Sequence, residues 1–209
     1  MLAYGEVMLR LKAPGFERLL QSPRLEVCVG GAEMNVLASL ARFGHETRFI
    51  TSLPDHALGE FAFAEIRALG IGTNDIRRRS GRMGLYFLES GHGSRPAQVL
   101  YDRAGSVFAL DDSERSWPDL LRGTALVHLT GITPALSLHA AASSLEAAQQ
   151  ARRLGATVSV DINFRARVWD AAPHSVEIGL VPLLTAAFGI CPLYTVLGIR
   201  TCPTAHKRT

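Results

Sequence analysis

The hydrophobic period switches repeatedly between two and about 3.6 residues along this chain, so strands must alternate with helices. Val7-Met8-Leu9-Arg10-Leu11-Lys12 and Leu25-Glu26-Val27-Cys28-Val29 alternate apolar and polar residues, as half-buried strands do. After Gly30-Gly31 the period lengthens. Val36, Leu37, Leu40 and Ala41 share a helical face, and Gly44 supplies a stop. Thr47–Leu53 reads as a buried strand, and Asp55 as the N-cap of a helix with Leu58, Phe61, Ala62, Ile66 and Leu69 on one face, ended by Gly70. Short strands are expected at Leu85–Glu89 and Gln98–Asp102, joined by a hairpin-like loop, and again at Leu126–Leu129 and Thr157–Asp161. Pro118 suits the first turn of a short helix. A long helix is expected over Ala135–Arg153, with Leu138, Ala141, Ala142, Leu145 and Ala148 inward and Gly155 as its stop. Strand–helix–strand repetition implies a parallel sheet covered by helices on both faces. The two alternating strand pairs do not fit a sheet buried on both sides. They fit a second, smaller sheet with one open face, the arrangement of a lid over a ligand site.

The 209 residues are 47% hydrophobic and 20% charged, which excludes disordered and collagen-like chains. The net charge of +3 belongs to the end of the chain. Up to Glu177, the last acidic residue, basic and acidic side chains balance at 19 each, and the excess is Arg200, Lys207 and Arg208. Electrostatic binding to nucleic acid or to a membrane surface is therefore not expected. Cys28, Cys191 and Cys202 have no paired spacing, no histidine spacing suits a metal, and no signal peptide opens the chain, so a cytoplasmic setting is expected. Residues 178–199 carry no charge and are long enough to span a bilayer, but Pro182 and Pro192 interrupt them.

Ligands in open α/β sheets bind beyond the carboxyl ends of the strands, and three polar stretches fall there. In Gly30-Gly31-Ala32-Glu33-Met34-Asn35 two glycines let the backbone approach a ligand at a helix start, although a tight turn before a capped helix needs the same residues. Tyr101-Asp102-Arg103, with Tyr86, puts Tyr101 and Arg103 on one strand face; a guanidinium there suits a carboxylate ligand or an ordinary salt bridge. Asp161-Ile162-Asn163-Phe164-Arg165 sends three polar side chains from an apolar strand, which is costly unless they are paired or face a ligand.

These stretches together, with Gly5-Glu6, Asp55 and Gly59, Gly70-Ile71 and Trp169, resemble the ribokinase-like (PfkB) sugar kinases over about residues 1–177. The Gly-Gly-Ala-Glu-x-Asn form and the Tyr-x-Arg strand are similar to the branch acting on 2-keto-3-deoxygluconate. The resemblance implies a doubly wound parallel sheet with a small β-sheet lid, whose lid strands lie within about residues 7–29 and 76–103. Gly31, Ala32, Glu33 and Asn35 would line the sugar site, with Tyr86, Tyr101 and Arg103 reaching it from the lid. Arg165 would bridge sugar and nucleotide, and Asn163 would face the nucleotide. The implied cofactors are ATP and Mg2+, the implied partner is a sugar or sugar acid, and a homodimer through the lid sheet is expected.

Members of this family also carry a Gly-Ala-Gly-Asp motif whose aspartate is the general base, and none occurs in these 209 residues. The resemblance fades after about Ala187. Residues 1–187 then read as the N-terminal part of a sugar kinase domain, and 188–209 as an aberrant tail from a frameshifted or prematurely ended reading frame. Three functions follow: a kinase for 2-keto-3-deoxygluconate, a kinase for neutral sugars such as fructose or ribose, or a sugar-binding fragment without turnover. An open sheet edge and a tendency to self-associate are expected.

Overall fold

The computed structural model describes residues 1–163; Phe164, Arg165, Trp169, the uncharged run at 178–199 and the tail lie outside the described residues. In chain order the elements are β1 (Leu2–Tyr4), β2 (Met8–Lys12), β3 (Glu26–Gly30), α1 (Ala32–Arg42), β4 (Arg48–Pro54), α2 (Ala57–Ala68), β5 (Ile76–Arg79), β6 (Gly84–Glu89), β7 (Gln98–Asp102), α3 (Trp117–Leu120), β8 (Leu126–Thr130), α4 (Leu138–Arg153) and β9 (Thr157–Asp161).

Five strands form one sheet in the order β5-β4-β1-β8-β9, every neighbouring pair parallel. Strand alternation divides the core in two. Ala3, Phe49 and Leu53 face Met34 and Leu37 of α1 and Ala62 and Ile66 of α2. Leu2, Tyr4, Ile50, Val127 and Leu129 face Trp117 of α3 and Ala147 and Ala151 of α4. Helices therefore cover both faces, as the repeating period requires. Each fully buried aliphatic or aromatic side chain contributes about 1.5–3 kcal/mol to holding the layers together.

Local chemistry shifts two helix starts. The N-cap of α2 is His56, not Asp55: its imidazole Nδ1 accepts the Leu58 N–H at 3.3 Å. The Asp55 N–H instead bonds the Arg79 carbonyl at 3.0 Å and extends the β4–β5 pairing. α4 begins at Leu138 and not at Ala135, because the Ser137 hydroxyl accepts the Ala140 N–H at 3.1 Å. Its buried face is also rotated from the expected one. Ala140, Ser144, Ala147, Ala148 and Ala151 are inside, while Leu138 is 67% exposed. Small residues let α4 lie close on the sheet, and Ser144 is buried without penalty because its hydroxyl donates to the Ala140 carbonyl at 2.7 Å.

The second sheet is mixed, in the order β3-β2-β6-β7, with β2 and β6 parallel and both outer pairs antiparallel. Residues 76–103 thus contain two lid strands and also β5, which joins the main sheet. At the base of one lid face Leu9, Val29 and Leu85 pack into the core beside Met34 and Leu37. The other face carries Cys28, Arg10, Tyr86 and Tyr101 in one row across all four strands. Tyr101 packs against Ile132 and Ala135, in the turns that leave the carboxyl end of β8. This lid face therefore overhangs the edge of the main sheet where α/β proteins bind ligands.

Candidate active site

The site is organised by two buried carboxylates. Glu6 follows β1, is only 3% exposed, and pairs with Arg103 just beyond β7. Arg103 Nε donates to Glu6 Oε2 at 2.8 Å and Nη2 donates to the same oxygen, while the Ser106 hydroxyl donates to Oε1. The approach is close enough to require a glycine opposite: a Cβ on Gly84 would lie 2.7 Å from Glu6 Oε1. Arg103 itself is buried, its Cζ lies 5.9 Å from the Tyr101 ring centroid, and its Nη1 is buried with no hydrogen-bond partner.

Glu33 lies in the first turn of α1 and is 1% exposed. The hydroxyls of Thr130 and Thr133 donate to its Oε1 at 2.6 and 2.7 Å. Burial pushes its carboxyl pKa up, while the two threonine hydrogen bonds pull the other way. A Cβ on Gly5 would collide with this carboxyl group, so Gly5 is the residue that lets Glu33 reach across β1 to β8. Glu33 thus ties the start of α1 to the end of β8. Among the residues expected at the sugar, it is the one whose carboxyl oxygen is engaged by the protein's own hydroxyls.

Tyr86 and Tyr101 are cross-strand neighbours with ring centroids 6.0 Å apart, half-buried on the lid face above this network. Burial pushes the Tyr86 hydroxyl pKa up, and the nearby Arg10 charge opposes it. Gly30 ends β3 under Tyr86; a Cβ there would sit 2.9 Å from the tyrosine hydroxyl. Gly31 is the extended N-cap residue of α1, with Ala32 opening the helix. Asn35 is exposed on α1 and lines a groove of about 630 Å³ between β3, α1 and α2, with Met34, Ala38 and Phe61. Asn163 follows β9 in a left-handed conformation, φ 42°, its N–H donating to Asp161 Oδ1 at 2.9 Å. Arg165 lies outside the described residues.

The structure therefore brings Tyr86, Tyr101 and Arg103 together on one lid face and seats Gly31 and Ala32 at the adjoining helix start. Glu6, Ser106, Thr130 and Thr133 were not legible as site residues. Gly5-Glu6 and Tyr101-Asp102-Arg103-Ala104-Gly105-Ser106 belong to the family pattern, and Glu6 carries a signal of its own, an acid in a run of buried apolar residues that must find a cation or donor. Arg10 was read as the polar position of an alternating strand, and it shares the site face.

A model of the pfkB family of carbohydrate kinases matches residues 1–187. The 2-dehydro-3-deoxygalactonokinase of Haloferax volcanii is 32% identical over 169 residues, covering 81% of this chain and 53% of that protein. The crystal structure of 2-dehydro-3-deoxygluconokinase from Thermotoga maritima superposes with a TM-score of 0.76 at 41% identity, over 80% of this chain and 52% of that one. A PfkB carbohydrate kinase from Listeria grayi superposes with a TM-score of 0.81 at 29% identity, over 94% and 66%. The chain spans about half the length of the curated relatives it matches. The five-stranded parallel sheet, the mixed lid and the Gly-Gly-Ala-Glu-x-Asn helix start all fall inside the matched region, and the chain belongs to the pfkB family of carbohydrate kinases.

Proposed function

We propose that this chain forms the sugar-binding part of a kinase that moves the γ-phosphoryl group of ATP to a hydroxyl of 2-keto-3-deoxygluconate or a closely similar sugar acid. The observation that carries the reading is Arg103 Nη1. It is a buried N–H donor without a partner, on a guanidinium otherwise held by Glu6, at the lid face above the sheet edge. Such a donor costs about 1–3 kcal/mol until an acceptor arrives. A ligand carboxylate or carbonyl oxygen is the acceptor that fits, with Tyr86 and Tyr101 as its walls and Gly31, Ala32 and Asn35 at the helix start. The names of the relatives support a 2-keto-3-deoxy sugar acid over a neutral sugar.

By the family resemblance Asn163 would face the phosphates of ATP, and Arg165, outside the described residues, would bridge sugar and nucleotide. Among the described residues no group of three or more histidine, cysteine or carboxylate side chains gathers to hold a metal ion. Mg2+ would act on the nucleotide phosphates, where phosphoryl transfer develops the charge that it neutralises. The absence of a Gly-Ala-Gly-Asp motif leaves these 209 residues without the family's general base, so we expect sugar binding without turnover. Calorimetry of the 209-residue chain with 2-keto-3-deoxygluconate and with fructose, beside an ADP-release assay, tests this. Tighter binding of the keto acid with no ADP release is expected. Preference for fructose overturns the substrate class, and clear ADP release overturns the expectation of an inactive chain.

No described helix is long and apolar enough to cross a membrane, and the cytoplasm is the setting in which ATP is at hand. On the lid face turned away from the site, Val27, Leu11, Phe87 and Leu100 form a cross-strand row, with Val27 49% and Leu100 60% exposed. An apolar row of this kind suits a second copy of the chain. Light scattering should give a dimer mass that falls to the monomer mass in Leu100→Asp; a monomer in the unmodified chain contradicts the pairing.

A further inference from the structure

The site face of the lid carries a second guanidinium, and its surroundings differ from those of Arg103. Arg103 is compensated, because its positive charge is paired with Glu6 in a buried contact. A ligand meeting Arg103 gains a hydrogen bond from Nη1 but meets a pair with no net charge. Arg10 lies in the row Cys28–Arg10–Tyr86–Tyr101, one pleat repeat outward from the row of Gly30, Met8 and Gly84. Its guanidinium lies against the Cys28 thiol and the Tyr86 hydroxyl. Its Nε is buried without a hydrogen-bond partner. Among the described residues no carboxylate pairs with it, whereas Lys12 in the next row is paired with Glu26 at 3.0 Å.

An arginine that is half-buried, always ionised and without a counter-ion attracts an anion far more than one already in a salt bridge. We infer that Arg10 is the charge-selecting residue of the site: it supplies the net positive charge that favours an anionic sugar acid over a neutral sugar, while Arg103 orients the ligand. This rests on the reading of the lid face as the sugar site. It also adds Arg10 to the two arginines, Arg103 and Arg165, that the sequence reading places at the sugar. Arg10 is a specificity residue, and no chemical step passes through it.

The test compares binding of 2-keto-3-deoxygluconate with binding of 3-deoxyfructose, which carries a hydroxymethyl group in place of the carboxylate. The 209-residue chain and its Arg10→Met, Arg10→Lys and Arg103→Met variants are measured, with circular dichroism confirming the fold of each. The unmodified chain should prefer the acid. Arg10→Met should lower that acid-to-neutral preference about tenfold, the loss expected for one charged hydrogen bond, with the acid losing far more affinity than 3-deoxyfructose. Arg10→Lys, which keeps the charge, should restore most of the preference, and raising the salt concentration should erode it in the unmodified chain but not in Arg10→Met. A preference that survives Arg10→Met overturns this inference alone. A preference lost in Arg103→Met but not in Arg10→Met assigns charge selection to Arg103 and overturns it as well. An unmodified chain that prefers the neutral sugar overturns the substrate reading itself.

Discussion

At the scale of single residues, the pair of Glu6 and Arg103 illustrates how a polar side chain takes its meaning from a distant partner. They are 97 residues apart in sequence, as are Glu33 and Thr130. No local pattern reports such a pairing, so Glu33 and Arg103 were legible as important positions but not as members of buried networks. Gly5 and Gly84 were in the same position. Their lack of a side chain makes sense only once Glu33 and Glu6 are seen lying against them. A buried ion pair is costly to break from one side, because the remaining charge has no solvent. Arg103→Ala should therefore cost about 3–5 kcal/mol of stability, read as a shift in the urea unfolding midpoint. The double variant Glu6→Met with Arg103→Met should recover most of that loss, since no orphaned charge remains. A loss in Arg103→Ala below about 1 kcal/mol, the range of exposed pairs, would mean that the pair is solvated in solution.

At the scale of elements, strands and helices followed from hydrophobic period, and their ends followed from capping chemistry that period does not encode. The Ser137 cap displaces the start of α4, and the His56 cap does the same for α2. β1 was marked only by the family pattern of Gly5-Glu6 after a first strand, because three buried residues carry no period, and β5 was not visible because Ile76-Arg77-Arg78-Arg79 reads as a charged run. Arg77 and Arg79 find their partners in the segment before α3, while Arg78 bonds to Gly59 and Glu60 of α2. Asp111 accepts hydrogen bonds from Ser52 of β4 and from Ser113, and it pairs with Arg79 of β5 and with Arg115 at 2.6 Å. Burial pushes the Asp111 carboxyl pKa up, but the Ser113 and Ser52 hydrogen bonds and the Arg115 charge outweigh it. They hold the pKa at about 2, below the ordinary value of 3.8. Since the folded value lies below the unfolded one, the network's contribution is whole above the ordinary value. It disappears as the pH falls through about 2. Unfolding midpoints measured from neutral pH downward should drop across that window, and Asp111→Asn should flatten the drop while lowering stability at neutral pH. A profile for Asp111→Asn that still falls as steeply would place the acid sensitivity elsewhere.

At the scale of the whole molecule, the alternating strand pairs were read as a separate lid, and the mixed sheet is one. What the alternation conceals is how the lid is attached. Val7, Leu9 and Met83, at the lid's base, share one core with Phe49, Leu53 and Leu37 of the main sheet and α1. The buried contacts of Glu6 with Arg103 and Ser106 add a polar joint at the same level. The base of the lid thus cannot open without disrupting the body, whereas its outer rows, where Val27 and Leu100 are exposed, hold little buried surface. Local openings are cheap where few apolar contacts are lost and reach the global unfolding energy where the core is shared. A ligand site between lid and sheet would then have a fixed floor at Arg103 and an adjustable rim at Arg10 and Tyr86. Native-state hydrogen exchange distinguishes this from a lid that moves as a unit. The Leu9 amide, in a central lid strand, should exchange only with global unfolding, as slowly as the Phe49 amide of β4, which donates to the Gly72 carbonyl at 3.1 Å. Amides of β7, on the lid's edge, should exchange at least about a hundredfold faster. Equal fast exchange at Leu9 and across β7 would mean that the shared core does not hold the lid, and that the whole lid opens as a unit.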